Sequence, residues 1–384
     1  MRPRLTPGRT DVELIGVTLV IKLALIIGGM LVYFAALGAI PDPFEPWHRW
    51  DAPHYTDIAV FGYRADDPGT LDVPGYRQKF PGDLDLYIVF FPLFPWLVAA
   101  VNAVIGAPVA AAFVVSSVAS LFVAPMLHRL VAADLGERIG RRSALLLLIF
   151  PTAYFLHIGY TEALFLALAF GSLWLARTDR WLGAGVLGGL ATLTRVNGLV
   201  LIPALVVEAW LQWRVHRRLD ARWALALGLV AAGFGVYLAL NLAVYGDPFA
   251  FSEIQRRHWF KDLSPPWEGI LGLGRWMSDP DADIALMYGW AELLFVVIGF
   301  VGVVAAVVRL RPTWAAWMAG NWLLIVSTGF VLSTARYSLV LFALPVFLAL
   351  ILERWRPVGL VLAGLSGLAM AYFAWRFAIG LWAF

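Results

Sequence analysis

The chain has 384 residues, of which 61% are hydrophobic and 14% charged, against about 25% charged in an ordinary soluble domain. Its formal charge of +3 sits on arginines scattered at the edges of apolar runs, which argues against a nucleic-acid binder. No cysteine is present, which excludes disulfides, thiolate metal sites and cysteine nucleophiles.

Arg2, Arg4 and Arg9 precede an apolar run over residues 14–40. That run is too long for a signal-peptide core and lacks a small-residue cleavage site, so it reads as a retained first span. Residues 41–87 are polar and rich in Asp, Pro and Gly. Residues 88–106 begin IVFFPLFPW, where Pro92 and Pro95 remove backbone donors that a lipid-exposed helix needs. This segment is expected to lie along the interface rather than to cross. Further apolar stretches fall at residues 109–131, 143–159, 162–176, 182–194, 198–213, 223–245, 288–308, 313–333, 338–352 and 358–377. A helix needs about 20 apolar residues to cross a ~30 Å hydrocarbon layer. The pattern predicts an all-α integral membrane protein of one polytopic domain, residues 1–384, with about eleven transmembrane helices.

Short loops rich in arginine stay in the cytoplasm. With the N-terminus inside and residues 88–106 not crossing, Arg138, Arg141, Arg142, Arg177, Arg180, Arg214, Arg217, Arg218, Arg222, Arg309, Arg311, Arg354 and Arg356 all fall on the cytoplasmic side. A crossing there would send every one of these loops outward. The opposite side then holds two long loops, 41–106 and 246–287, and three short turns, GYTE (159–162), TRVNG (194–198) and TARY (334–337). Each turn puts one ionisable residue at a span end on the same face, and Lys22 is the one plain charge read as deep in a span. Polar groups gathered at one membrane surface are the pattern of an active site.

The most informative string is WHRWDAPHYTDIAVFGY, residues 47–63. Asp51 before Ala52 and Pro53 reads as a helix start, and Tyr55, Ile58, Ala59 and Gly62 follow at helical spacing, so a short amphipathic helix would lie on the membrane with Asp51 at its head. From spacing alone, Asp51 is either a functional carboxylate or only a cap. Trp47, Trp50 and Arg49 flank it; apolar neighbours raise a carboxylate pKa and an arginine lowers it, so the sign of a shift stays open. His54 lies one turn on, placed either to bond a substrate or the carboxylate or to serve the helix.

The order WD, Y, IA, GY in that string, followed by FFPLFP (90–95), YTEALF (160–165), LATLTRVNGL (190–199) and ARYSLVLFALP (335–345), resembles the second GPI mannosyltransferase family, also called PIG-V, among the GT-C membrane glycosyltransferases. The five ordered motifs run from the first loop to the tenth span. The resemblance implies the GT-C fold with interfacial helices in the first outer loop. It also implies inverting transfer of a sugar, mannose by analogy, from a polyprenyl-phosphate donor to an acceptor hydroxyl. It makes Asp51 the catalytic base; no cofactor and no metal are expected. One base suffices, because a phosphate already leaves readily and only the nucleophile must lose a proton.

Fixed cations near a leaving phosphate stabilise the charge it gains, and arginine's planar fork holds two phosphate oxygens at once. The candidates are Arg336, Arg195 and the loop group Arg256, Arg257 and His258; for each the plainer role is an interfacial side chain reaching the headgroups. Trp50, His54, Tyr55, Asn197 and Tyr337 complete the candidate substrate-binding set. Glu162 belongs to it as well, and is open to three roles: orienting a sugar hydroxyl, holding an arginine such as Arg195, or capping the next helix. Asp279, Asp281 and Asp283 alternate in SDPDADI, but without the glycine and distant glutamate of a calcium loop they read as a solvated turn. The expected partners are the lipid-linked donor, membrane lipids and an acceptor that could be a glycolipid, a glycan or a protein. The cysteine-free, loop-poor build fits a prokaryotic source and hence a plasma membrane. The rival reading is a transporter or flippase of a lipid-linked saccharide, for which mid-membrane polar sites and inverted repeats would be the signature. A polymer ligase or phosphotransferase using the same carriers fits the topology but the motifs less well.

Overall fold

The computed structural model describes residues 8–66, 69–79 and 84–384; Arg2 and Arg4 lie outside these. The long first helix α1 (Arg9–Leu37) starts where the Asp11 carboxylate accepts the Gly8 amide at 2.8 Å and ends at left-handed Gly38. A loop region follows, with α2 (Ala52–Phe61), a two-residue antiparallel pair, Asp72–Val73 with Tyr76–Arg77, and α3 (Leu93–Ile105). The bundle continues through α4 (Pro108–Leu135), α5 (Glu137–Leu148), α6 (Glu162–Arg177), α7 (Trp181–Thr194), α8 (Leu201–His216) and α9 (Ala221–Tyr245). The second long loop carries α10 (Ala250–Trp259) and α11 (Pro266–Met277). A single turn α12 (Ala282–Ile284) runs through a π-helical stretch into α13 (Ala291–Arg309). Then come α14 (Pro312–Val326), the four-residue α15 (Thr334–Tyr337), α16 (Ala343–Arg354) and α17 (Arg356–Ala378).

Every apolar stretch read as a span holds a helix, but their lengths differ from the expectation of about eleven crossings. Among the described residues six helices are long and apolar enough to cross, or seven if the pair 334–340 and 343–354, bent by 76°, counts as one. The rest are short because glycine, proline and polar turns interrupt the runs. α5 stops at Leu148 ahead of an irregular segment, and α14 stops at Val326, before the loop 327–333. The segment 88–106 gives α3, whose 13 residues reach about 20 Å at 1.5 Å per residue, short of the hydrocarbon thickness.

Two further sequence readings change. The helix expected to float on the membrane, α2, is buried from Ala52 through Ile58. The rest of its own loop covers it: the Tyr76 and Tyr87 hydroxyls donate to Asp57 at 2.6 and 2.8 Å, and the hydroxyls of Thr56 and Tyr76 bond at 2.7 Å. Lys22 is also not the one charge inside the helices. Glu208 in α8 is buried and accepts from Arg311 and Thr313, and Glu292 in α13 is fully buried.

α7 and α9 pack backbone against backbone, and small residues permit it. A Cβ on Gly189 would sit 2.6 Å from the Leu229 carbonyl oxygen, and one on Gly233 would collide with the Gly189 carbonyl. Without a hydrophobic drive between helices in lipid, such backbone approach is what holds them together. Gly233→Ala is therefore expected to lower stability by about 1–3 kcal/mol through overpacking. Gly235→Ala, whose Cβ meets open space, should leave it unchanged; thermal unfolding of the purified protein in detergent reads both.

Candidate active site

α2 opens with Asp51 in the N-cap place, yet the Asp51 side chain makes no capping bond. Its Oδ2 instead accepts from Arg336 Nη1 at 2.6 Å, from a residue 285 positions away. The local backbone is shaped for this. Trp50 adopts φ 54°, a left-handed conformation that costs a bulky residue about 1–3 kcal/mol. The turn is pinned by the Tyr160 hydroxyl donating to the Arg49 carbonyl at 2.7 Å and by Arg49 Nη2 donating to the Ala378 carbonyl at 3.2 Å.

Arg336 is positioned as firmly. Its guanidinium lies over the adjoining rings of Phe155 and Tyr160, 4.8 and 4.7 Å from their centroids. The helix that carries it starts at left-handed Ser333, where the Glu292 carboxylate accepts the amides of Ser333 and Thr334, both at 2.7 Å. Thr152 adds a hydroxyl bond to the Ala335 carbonyl at 2.9 Å. Arg336 Nε donates to Glu162 Oε1 at 2.5 Å, and Arg195 Nη1 donates to the same oxygen at 2.5 Å and to Thr161 at 2.9 Å. Of the three roles open to Glu162, the structure draws the arginine-holding one. The result is a chain of alternating charge, Asp51, Arg336, Glu162, Arg195, built from four separate parts of the sequence.

This chain borders a cleft of about 710 Å³, whose lining includes Trp50, Asp51, His54 and Tyr55 together with Arg195, Asn197, Arg336 and Tyr337. The Asp51 side chain is 32% exposed, so the carboxylate reaches the cleft, whereas Glu162 at 5% stands behind it. Burial would raise the Asp51 pKa, but the charge and hydrogen bond of Arg336 outweigh it and hold the group below the ordinary carboxylate range. Burial drives His54 down to about 4, with the Asp51 charge opposing, so its imidazole is neutral near pH 7. Burial, helped by the Asp51 charge, pushes the Tyr55 phenol up, so it too is neutral. Asn197 is held by its amide nitrogen donating to Asn321 at 2.9 Å.

The structure does not bring Arg256, Arg257 and His258 to the cleft. All three are exposed, and both arginines pair with Glu253 one turn back on α10, Arg256 at 2.8 Å. From that helix Gln255 and Trp259 line the cleft instead, and just beyond it Lys261 does so. Sequence reading missed Lys261 and Glu292. Asp279, Asp281 and Asp283 are occupied locally: Asp279 accepts the Asp281 amide, Asp281 caps α12, and Asp283 holds Arg376 through two bonds of 2.6 and 2.7 Å.

Over this geometry the architecture matches a known one. The apo oligosaccharyltransferase of Archaeoglobus fulgidus superposes with a TM-score of 0.53 over 96% of this chain and 55% of its own, at 13% identity. The same enzyme in complex with zinc and sulfate gives 0.50 over 95% and 53%, at 12% identity. Residues 91–239 match the family described as dolichyl-phosphate-mannose-protein mannosyltransferase. The chain has the GT-C fold of that oligosaccharyltransferase. GPI mannosyltransferase 2 of Yarrowia lipolytica is 37% identical over 90 residues, 23% of this chain and 25% of that protein. This GT-C chain thus spans about a quarter of that relative in the match and about half the length of the solved enzyme. Within it, Glu162, Arg195 and Asn197 fall inside the matched residues 91–239, while Asp51, Lys261 and Arg336 fall outside.

Proposed function

We propose that this GT-C protein is an inverting glycosyltransferase that moves a sugar, mannose, from a polyprenyl-phosphate donor to an acceptor hydroxyl at the non-cytoplasmic face of the membrane. The observation that carries the reading is Asp51, a carboxylate relieved of any capping duty, opened to the cleft and kept ionised by Arg336. The family described by a lipid-phosphate mannose donor supports the choice of sugar and carrier. The basic loops, all on one side when the first outer loop is external, support the choice of face.

In the proposed reaction the acceptor oxygen attacks the anomeric carbon from the side opposite the phosphate. Its proton passes to Asp51, the new C–O bond forms, and the bond between anomeric carbon and phosphate oxygen breaks with its electron pair staying on the phosphate. Attack from the opposite side inverts the configuration. Arg195, of which only Nη1 is committed among the described residues, faces the departing phosphate with Arg336 behind it; such preset cations act where charge grows. Trp50, His54, Tyr55, Asn197 and Tyr337 shape the remaining walls.

The test supplies purified protein with labelled polyprenyl-phosphate mannose and a membrane lipid extract. The expected result is label in a new product whose anomeric configuration is opposite to the donor's. Retained configuration, or no transfer from any lipid-linked sugar, would overturn the reading, the latter in favour of a transporter.

A further inference from the structure

Three cations converge on one phenol ring. The Arg195 guanidinium stands 5.4 Å from the centroid of Tyr337, the Lys261 ammonium 4.9 Å and the Arg336 guanidinium 6.0 Å. Like charges so close repel unless anions lie among them. Glu162 and Asp51 serve the two arginines. Lys261 has no carboxylate within ion-pair distance among the described residues; its Nζ donates to the Leu332 carbonyl at 3.2 Å and to the Tyr337 hydroxyl at 3.5 Å. Asp262 also borders the cleft, but it is exposed and turned to the Ser264 hydroxyl at 3.4 Å.

The backbone delivers Lys261 to this place. Left-handed Phe260, φ 53°, ends α10 and turns the chain. The residues after Lys261 then pair with the segment leading to α15: the Ser264 amide donates to the Ser327 carbonyl and the Gly329 amide to the Asp262 carbonyl, each at 3.3 Å, around a bridge between Leu263 and Thr328. A half-buried ammonium whose hydrogen bonds go to a carbonyl and a hydroxyl has no ion pair to break before it takes an anion, and an ammonium with three rotatable donors serves a phosphate as a point charge.

We propose that Lys261 binds the phosphate that joins sugar to lipid, sharing it with Arg195 across the face of Tyr337. The proposal rests on the glycosyl-transfer reading for the identity of the anion. It assigns the second outer loop a direct part in holding the donor, through a residue four positions past the arginine pair that its sequence advertises.

The probe is polyprenyl monophosphate, followed by tryptophan fluorescence or native mass spectrometry on the full chain in detergent, with phosphatidylglycerol and inorganic phosphate as parallel ligands. Lys261→Ala and Lys261→Met are expected to bind polyprenyl phosphate roughly ten- to a hundredfold more weakly at unchanged melting temperature. Lys261→Arg should recover most of the loss, and Arg257→Ala should bind as wild type does. Wild-type affinity in both neutral variants would overturn the assignment and leave the transferase reading standing. An equal loss for phosphatidylglycerol or inorganic phosphate would overturn it in favour of a general headgroup or phosphate site. Failure of the wild type to bind polyprenyl phosphate would overturn both this assignment and the donor named in the reading.

Discussion

Asp51→Asn is expected to slow sugar transfer by roughly 10²–10⁴-fold with donor binding close to wild type and a smaller loss of stability than Glu162→Gln, because Asp51 is the more exposed of the two carboxylates on Arg336. Asparagine keeps the shape and an oxygen that can accept from Arg336 Nη1, now 2.6 Å from the carboxylate, and the capping function it would otherwise disturb is not being performed. What it removes is the site that receives the acceptor's proton. The pH profile of kcat/KM carries the companion result. Burial alone would raise the Asp51 pKa, and Arg336 holds it below its ordinary value, so the base form persists as pH falls and the acid limb lies below the usual carboxylate range. Arg336→Met removes the counterweight and leaves burial, so in that variant's residual activity the limb should move to higher pH. Wild-type transfer by Asp51→Asn would place the base elsewhere; an unmoved limb would separate Asp51 from the titration.

Much of this site could be read from the sequence because its parts sit at element boundaries. Asp51, Glu162, Arg195 and Arg336 each stand at a break in an apolar run, where a charge is conspicuous. What could not be read was which charge meets which, since the Asp51 and Arg336 pair spans nearly 300 residues of intervening chain. The loop arginines show where a local rule was available and unused. Glu253 precedes Arg256 by three positions and Arg257 by four, the two spacings that place side chains side by side on a helix, and that is the pairing observed. Lys261 carried no such signal, because it reaches the cleft through a left-handed turn at Phe260 and a pairing with residues 327–329 that no local pattern encodes. The burial of α2 was hidden for a related reason. Tyr76 and Tyr87 lie in the polar stretch that reads as open loop, yet they close over Asp57. Glu292 sits in an apolar run, where an acid at a span's edge reads as an interfacial residue. Its work is to hold two amides of a turn some 40 positions on.

Glu162→Gln is expected to be the more damaging change to the folded protein, lowering stability by about 3–5 kcal/mol, the range for breaking a buried ion pair from one side. One oxygen of Glu162 takes both Arg336 and Arg195 at 2.5 Å, and the side chains of the arginines are only 5% and 14% exposed. Removing the negative charge leaves Arg336 with Asp51 alone and Arg195 with the neutral Thr161 hydroxyl. Because much of the penalty belongs to the stranded cation rather than to the lost bond, taking away that cation should relieve it. The double variant Glu162→Gln with Arg195→Gln should therefore unfold at a higher temperature than Glu162→Gln alone, a coupling outside the ~0.3–0.5 kcal/mol expected of independent sites. Donor binding should not recover alongside it, since in the proposed reaction Arg195 faces the phosphate. A merely structural arginine would give the opposite pattern, with binding returning as the fold does. Additive losses in melting temperature would contradict the shared-charge account, and recovery of both properties would leave the carboxylate and arginine as scaffold and shift the phosphate to Lys261 and Arg336.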